Sequence, residues 1–183
     1  MSGTSLDGLD IVLVQFEENI DKIDHTIVCC EAVSYPVDLE ESIKNAHELK
    51  IDQAQVLDKA IGLFFAAQVN AFIEKNKLDQ NDIEAIAAHG QTILHQPENG
   101  FTLQLGCGST LAYHTGIPVI NDFRSLDVIA GGQGAPLVPK GDFSLFHGKA
   151  EAYINIGGFC NISFKTKNKI QAFDICPSNL PLN

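Results

Sequence analysis

Short runs of β-branched and apolar residues alternate along the chain with longer segments of helical periodicity. The run at residues 11–16, Ile-Val-Leu-Val-Gln-Phe, predicts a buried strand, and residues 25–34 predict its return strand. Residues 20–24, among acidic and amide side chains, predict the turn between them. Pro36 then interrupts the pattern. We therefore expect the chain to open with a β-hairpin.

Two helices are predicted after this hairpin, over residues 38–49 and 52–76. Asp52 is suited to the N-cap position of the second helix. The apolar positions of the second segment recur at helical spacing. We assign them to core packing: Leu57, Ile61, Phe64, Phe65, Phe72 and Ile73.

The rest of the chain alternates short strands with short helices and loops. Apolar runs predict strands at residues 83–88, 101–105, 117–120, 152–156, 159–164 and 170–173. Residues 109–115 predict a helix ending at Gly116, residues 131–139 a Gly- and Pro-rich loop, and the Gly157-Gly158 pair a hairpin tip. This order predicts an α/β fold with a mixed sheet and flanking helices.

Composition narrows the class of protein. A length of 183 residues with 45% hydrophobic content suits one domain, or one domain and the beginning of another, with a full core. The formal net charge of -11 repels nucleic acid, and no basic cluster offsets it. The opening Met-Ser-Gly-Thr-Ser has no secretory pattern, and residues 11–16 are too short to cross a bilayer. We expect a cytoplasmic protein with no nucleic-acid or membrane partner.

The cysteines indicate a reducing compartment. None belongs to a C-x-x-C pair, and an odd count at irregular spacing argues against a disulfide framework. We interpret them as small hydrophobic residues of the core. The five are Cys29, Cys30, Cys107, Cys160 and Cys176.

Residues 3–10, Gly-Thr-Ser-Leu-Asp-Gly-Leu-Asp, directly precede the first predicted strand. Two glycines allow a ligand to approach the backbone, and hydroxyl and N–H groups are suited to phosphate oxygens. Asp7 or Asp10 is suited to hold Mg²⁺ through water. The same residue types are ordinary turn chemistry, so a phosphate loop and a simple turn both remain open.

Polar residues also follow two of the predicted strands. Residues 89–92, His-Gly-Gln-Thr, follow the strand at 83–88, where α/β proteins bind ligands, although a capped strand end is an equal alternative. Residues 122–127, Asp-Phe-Arg-Ser-Leu-Asp, follow the strand at 117–120. Arg124 within them is suited either to a structural ion-pair network or to binding a substrate carboxylate.

The last candidate region combines a hairpin tip with an aspartate. The sequence Asn-Ile-Gly-Gly-Phe-Cys-Asn-Ile-Ser at residues 155–163 allows a phosphate to approach main-chain N–H groups at its Gly-Gly tip. Asp174 ends the following strand, so its carboxylate is suited to act as a partly desolvated base. A surface turn aspartate is the plain alternative.

In this order, the segments resemble the anhydro-N-acetylmuramic acid kinase family of the actin/hexokinase/Hsp70-like ATPase superfamily. The resemblance spreads over essentially the whole chain, and its most specific part is the run from Asp122 to Pro139. It implies an actin-like, ribonuclease H-like ATPase lobe in residues 1–150, and the first hairpin and strand of a second lobe in residues 151–183. The resembling segments are MSGTSLDGLD (1–10), AAHGQTILHQP (87–97), LQLG (103–106), TGIPVINDFRSLDVIAGGQGAPLVP (115–139), INIGGFCNIS (154–163) and FDICPSN (173–179).

The resemblance implies an ATP-dependent kinase. Such an enzyme opens the 1,6-anhydro bond of 1,6-anhydro-N-acetylmuramic acid and phosphorylates O6, giving N-acetylmuramic acid 6-phosphate in peptidoglycan recycling. Asp174 is implied as the base that activates water, with Asp7 as a Mg²⁺ ligand through water and Arg124 as the partner of the lactyl carboxylate. The implied ATP contacts are Gly3, Thr4, Ser5, Leu6, Asp7, Gly8, Leu9, Asp10, Gly157 and Gly158. The implied sugar contacts are His89, Gln91, Thr92, Asp122 and Arg124.

Two departures from the family pattern keep alternatives open. The chain has Ile175 and Cys176 where the family has Thr-Gly after its aspartate, and Cys107 where it has an acid. One alternative is a non-catalytic sugar- or partner-binding module of the same superfamily, and another is a sugar kinase with a different substrate. The resemblance also implies a homodimer, further residues at both ends, and no kinase activity for the 183-residue chain alone.

Overall fold

The computed structural model describes Leu6 and residues 8–19, 22–146, 149–167 and 169–178. The strands in this part of the chain are β1 (Leu9–Asn19), β2 (Lys22–Val33), β3 (Ile86–Ala88), β4 (Gln91–Gln96), β5 (Phe101–Leu105), β6 (Val119–Asn121), β7 (Ala152–Ile156), β8 (Phe159–Lys165) and β9 (Ile170–Pro177). The α-helices are α1 (Val37–Lys44), α2 (Ile51–Lys75), α3 (Gly108–Thr115), α4 (Ser125–Ile129) and α5 (Val138–Leu145).

The strands confirm an α/β fold that contains both parallel and antiparallel pairs. β1 pairs with β2, β4 with β5, and β8 with both β7 and β9, all antiparallel, whereas β3 and β6 are parallel. A parallel pair needs a long crossover, and the chain between β3 and β6 contains α3. The hairpins predicted at residues 11–34 and 152–164 are both present.

The strands do not join into one mixed sheet within the described residues. They form four separate hydrogen-bonded sheets. An apolar cavity of about 360 Å³ is lined by consecutive residues of β1 and of the segment around β3, so that the two strand edges face it. Because these edges make no ladder with each other, the predicted single mixed sheet is divided at this place.

Helix α2 supplies the centre of the core. Ile61 has no exposed surface, and Leu57, Phe65 and Phe72 are buried, which confirms much of the predicted stripe. The helix is long and apolar enough to cross a membrane by length and composition alone. Its packing against buried residues of the core accounts for that apolar composition.

The helix boundaries differ from the predicted ones where local capping signals compete. Helix α2 begins one residue before Asp52, and Lys50 takes the N-cap position, with its N–H donating to Gln53 Oε1 at 3.1 Å. Helix α1 ends at Lys44 and is followed by a short 3-10 helix over Ala46–Glu48, instead of continuing to residue 49. Asp52 lies within the first turn of α2, where its charge suits the helix dipole.

Strand β4 and helices α4 and α5 were not predicted. β4 is rich in polar residues, and its strand conformation depends on its ladder with β5. Pro139 was placed at the end of a loop, but it lies in the first turn of α5, where a missing N–H costs no helical hydrogen bond. The Gly-rich loop is therefore shorter than residues 131–139.

Candidate functional site

The predicted polar segments after two strands meet at one edge of a sheet. His89 follows β3, and Arg124 follows β6 by a few residues. Because β3 and β6 are parallel, their carboxyl ends lie at the same edge. Arg124 Nε donates a hydrogen bond to His89 Nε2 at 2.9 Å. The structure therefore joins two residues that are 35 positions apart in the sequence.

This hydrogen bond determines the protonation state of His89. A guanidinium group only donates, so His89 Nε2 must accept and cannot carry a proton. The proton of the neutral ring is then on Nδ1, which lies 2.8 Å from the carbonyl oxygen of Gly90 and donates to it. His89 in this state orients the Arg124 side chain and adds no second positive charge.

The Gly-rich segment is folded against the other side of Arg124. Arg124 Nη1 donates to the carbonyl oxygen of Gly134 at 2.7 Å, and the Gly134 N–H donates to Asp127 Oδ2 at 2.7 Å. Gly134 has φ +67°, and a Cβ there would lie 2.7 Å from Val128 Cγ2. Only glycine fits this position without strain. The remaining N–H groups of Arg124 make no hydrogen bond within the described part of the chain.

The Arg124 guanidinium is also coupled to Asp174. Partial burial of the Arg124 side chain lowers its pKa from the ordinary value. The charge of the Asp174 carboxylate opposes this effect and raises the pKa of Arg124. Asp174 is therefore close enough to act on the guanidinium through space. Of these predicted site residues, His89 and Arg124 are in direct contact, whereas Asp174 acts on Arg124 at longer range, with no ion pair between them in the described part of the chain.

Asp174 has a different local environment from the predicted one. It was expected at the end of a strand and partly desolvated, but it lies inside β9, opposite Asn161 of β8, and its side chain is exposed. The ladder between β8 and β9 shifts register next to this pair and continues to Pro177. The longer ladder carries Asp174 within the strand, where the residue is exposed.

A polar cavity of about 310 Å³ lies beside His89 and Asp122. Its volume is at the lower end of the range for small-molecule sites. Asp122 has φ +57°, a conformation that Asp tolerates better than most residues, and its Oδ1 accepts from the Ser125 N–H at 3.3 Å. Further polar residues of the lining are Asp58, Gln104, Cys107, Ser109, Asn121 and Ser125.

Asp58 is a site residue that sequence reasoning missed. Its Oδ1 accepts from the Gly106 N–H at 2.7 Å, and its carbonyl oxygen accepts from the Cys107 N–H at 3.1 Å. The turn at Gly106 and Cys107 packs directly on α2, since a Cβ on Gly62 of that helix would lie 2.8 Å from the Cys107 carbonyl oxygen. Asp58 thus fixes one wall of the cavity. No local signal in the sequence marks it, because its partner turn is 48 residues away.

Two of the predicted sugar contacts lie elsewhere. Gln91 and Thr92 line a separate cavity of about 240 Å³, together with Lys44 and His47. Both residues belong to β4, and Gln91 is buried. Their assignment as sugar contacts stays a prediction, and the described geometry does not place them beside His89 and Asp122.

The N-terminus of α3 at this cavity lacks a side-chain cap. Cys107 is the N-cap residue, and its side chain makes no capping hydrogen bond. Serine has nearly the same shape, and its oxygen can accept from a first-turn N–H. We expect Cys107→Ser to raise the free energy of unfolding by about 0.5–1 kcal/mol in urea titrations.

The matched control for this variant is Cys30→Ser, on an exposed position of β2. It replaces the same atom away from any helix terminus and should change the free energy of unfolding by less than about 0.5 kcal/mol. Equal effects of the two substitutions, or a loss of stability in Cys107→Ser, would contradict the capping argument.

The Gly157-Gly158 tip is hydrogen-bonded to Ser178, which follows β9, and its role in phosphate binding stays a prediction. The Gly157 carbonyl accepts from the Ser178 hydroxyl, and the Gly158 carbonyl accepts from the Ser178 N–H at 2.9 Å. Because a trans peptide places C=O and N–H on opposite sides, the Gly158 N–H points away from Ser178. A Cβ on Gly157 would approach no atom more closely than the Phe159 carbonyl oxygen at 3.7 Å, so this position is open, whereas Gly158 is half-buried.

The predicted N-terminal phosphate loop is described only in part. Gly3, Thr4, Ser5 and Asp7 lie outside the described residues. Leu9 is in the core with Leu6 packed against it, and Asp10 is exposed in β1. Gly8 has φ +141°, and a Cβ there would lie 2.5 Å from the Val33 carbonyl oxygen, so this position requires glycine.

The described residues contain no group of three or more His, Cys, Asp or Glu side chains suited to a metal ion. Mg²⁺ commonly binds through one or two carboxylates, substrate phosphates and water, without a complete protein cage.

Comparison with known proteins identifies the family. The family model for anhydro-N-acetylmuramic acid kinase matches residues 1–183. The chain is 40% identical over 197 residues to the anhydro-N-acetylmuramic acid kinase of Francisella tularensis subsp. novicida, covering 100% of this chain and 52% of that protein. It is 41% identical over 191 residues to the Haemophilus influenzae protein of the same name, covering 100% of this chain and 49% of that protein.

A third relative gives the same result. The anhydro-N-acetylmuramic acid kinase of Pseudomonas paraeruginosa is 43% identical over 188 residues, covering 98% of this chain and 50% of that protein. The chain spans about half the length of the curated relatives it matches. With its polar cavity, the Arg124 network and a family match along its whole length, the chain belongs to the anhydro-N-acetylmuramic acid kinase family.

Proposed function

We propose that these residues belong to an ATP-dependent kinase that acts on 1,6-anhydro-N-acetylmuramic acid. It hydrolyses the 1,6-anhydro bond and phosphorylates O6, giving N-acetylmuramic acid 6-phosphate for peptidoglycan recycling. Family membership supports the reaction. The geometric observation that carries the proposal is the position of Arg124, whose guanidinium is hydrogen-bonded to His89 of the polar cavity.

In this proposal Asp174 is the general base. Its exposed carboxylate is accessible to a water molecule and accepts a proton as the water oxygen bonds to the anomeric carbon. The bond between that carbon and O6 breaks, the anomeric carbon keeps the new hydroxyl group, and O6 leaves with the electron pair as the oxygen that receives the phosphoryl group. ATP, when bound with Mg²⁺, supplies the phosphoryl group. The Gly158 N–H at the hairpin tip and the residues at 3–10 are proposed to hold its phosphates.

Arg124 is the proposed partner of the lactyl carboxylate of the sugar. Its His89 and Gly134 bonds hold the guanidinium plane, which leaves other N–H groups for a ligand. A fixed guanidinium binds a carboxylate with little loss of side-chain entropy. Asp122, beside His89 in the cavity lining, is the proposed partner of a sugar hydroxyl.

The proposed lobes, compartment and oligomeric state rest on the same family membership. We propose an actin-like ATPase lobe in residues 1–150 and the beginning of a second lobe in residues 151–183. Helix α5 is bonded to the second region, since Asp142 Oδ2 accepts from Asn155 Nδ2 at 3.1 Å and from Ser163 Oγ at 2.9 Å. We further propose a cytoplasmic homodimer with no nucleic-acid or membrane partner, in keeping with the net charge of -11.

Calorimetric binding of two sugars tests the carboxylate assignment. We expect Arg124→Gln to weaken binding of 1,6-anhydro-N-acetylmuramic acid by about 10- to 100-fold, because a hydrogen bond to a charged group contributes about 1.5–3 kcal/mol. Binding of 1,6-anhydro-N-acetylglucosamine, which has no lactyl carboxylate, should change little. Lys75→Gln, an exposed cation paired with Glu31 and outside the described cavities, is the matched control.

The possible results separate the alternatives. An equal loss for both sugars would make Arg124 a structural residue and contradict its substrate role. Preference of the unaltered protein for an ordinary hexose would favour a sugar kinase with another substrate. Ile175 and Cys176, which replace the Thr-Gly of the family, are the feature that keeps the non-catalytic module as an alternative, and turnover of the unaltered protein decides between that module and an enzyme.

A further inference from the structure

Two cysteines of the second region are direct partners across a sheet. Cys160 in β8 lies opposite Cys176 in β9 in their antiparallel ladder. Cys176 is exposed and Cys160 is half-buried, so neither thiol is sealed within the core. Neither has a role in the proposed reaction. The pair therefore differs from the buried, isolated cysteines that the sequence predicted.

The ladder places these thiols at a distance suited to a disulfide. Hydrogen-bonded and non-hydrogen-bonded pairs alternate along an antiparallel ladder. The pair of Phe159 with Pro177 is of the second kind, because Pro177 has no N–H and the Ser178 N–H donates to the Gly158 carbonyl beside that pair. Cys160 and Cys176 come after it and form a hydrogen-bonded pair, with Cα atoms about 5.5 Å apart. That separation is the commonest one for disulfides, and opposed side chains share a face.

The other cysteines have no such arrangement. Cys29 and Cys30 are consecutive in β2, so they face opposite sides, and their partners in β1 are Leu13 and Val12. Cys107 lies at the start of α3. Among the five cysteines, all of which are described, Cys160 and Cys176 are the pair that faces across a ladder.

We propose that Cys160 and Cys176 form a reversible disulfide by exchange with a low-molecular-weight disulfide such as oxidised glutathione. The thiolate of exposed Cys176 attacks one glutathione sulfur and releases the first glutathione thiolate. The Cys160 thiolate then attacks Cys176 Sγ, forms the protein disulfide and releases the second thiolate. The two cysteines lose two electrons, the glutathione disulfide gains them, and the two thiol protons pass to the released thiolates.

The bond would act on the region that carries the proposed chemistry. It would join β8 to β9 between the Gly157-Gly158 tip and the pair of Asn161 with Asp174. The disulfide would close a loop of residues 161–175. It would also fix the register of the ladder between β8 and β9 at the shift beside Asp174. In a reducing compartment such a bond is transient, which suits redox sensing rather than a permanent framework.

Thiol counting on the 183-residue chain tests the proposal. The chain is incubated with increasing oxidised glutathione, free thiols are blocked by alkylation, and peptides are mapped by mass spectrometry. We expect free thiols to fall from five to three, that is, five minus the two joined. The peptides containing Cys160 and Cys176 should be linked with the loss of two hydrogen atoms, and dithiothreitol should restore both thiols.

Single serine substitutions identify the two cysteines that form the disulfide. Cys160→Ser and Cys176→Ser should each prevent the linked peptide, whereas Cys29→Ser and Cys107→Ser should retain it. Three results would overturn the proposal: a glutathione adduct on Cys176 that Cys160 does not resolve, a disulfide between two chains, or equal alkylation of Cys160 before and after oxidation. Peptide mapping of the unsubstituted chain gives a decision even where a serine variant folds poorly.

Discussion

Replacement of Asp174 by Asn is expected to lower the turnover of 1,6-anhydro-N-acetylmuramic acid by about 10²- to 10⁴-fold, the usual contribution of a general base. The amide has the size of the carboxylate but cannot accept the proton of the attacking water. Since Asp174 is exposed in β9, the substitution should leave the fold intact. Sugar affinity, measured by calorimetry, should remain nearly unchanged, because Arg124 and His89 keep their hydrogen bond.

The assay is ADP release coupled to a chromogenic reaction, on protein of the relatives' full length. Asp52→Asn, in the first turn of α2, is the matched control and should retain full turnover. Unchanged turnover in Asp174→Asn would contradict the role of Asp174 as the base, and no turnover in the unaltered protein would favour the non-catalytic module. The 183-residue chain alone is expected to release no ADP, because catalysis requires closure between two complete lobes. Normal turnover by that chain would contradict the two-lobe requirement.

Replacement of Ile61 by Ala should have the largest effect on stability. Ile61 has 0% exposed surface and lies at the centre of the core formed by α2 with β5 and α3. Removing its buried methyl and methylene groups leaves a cavity that close packing cannot fill. We expect the free energy of unfolding to fall by about 2–5 kcal/mol. Since domains are stable by only about 5–15 kcal/mol, this is a large part of the total.

The matched control is Ile51→Ala, the same substitution in the same helix. Ile51 is 84% exposed, and we expect a change of less than about 0.5 kcal/mol. Urea unfolding followed by circular dichroism measures both variants. Similar losses of stability at the two positions would contradict the position of Ile61 in the core, because Ala has a higher helix propensity than Ile and its propensity alone does not destabilise the helix.

The sequence by itself determined the elements whose stability depends on nearby residues. The opening hairpin, the apolar stripe of α2 and the Gly116 terminus of α3 follow from local periodicity and turn chemistry, and the structure confirms them. The ligand-site prediction for His89 and Arg124 also rested on a local feature, since both follow apolar strands. Parallel pairing of those strands then explains why the two side chains meet.

Only the tertiary structure decided the features that depend on distant partners. The strand conformation of β4, the support of the cavity wall by Asp58 and the opposition of Cys160 to Cys176 each need a segment remote in sequence. The exposure of Asp174 depends on the register between β8 and β9, and a single extra residue changes that register. Periodicity specifies which face of an element is apolar, but the partner and the register are set by packing and hydrogen bonding across the whole fold.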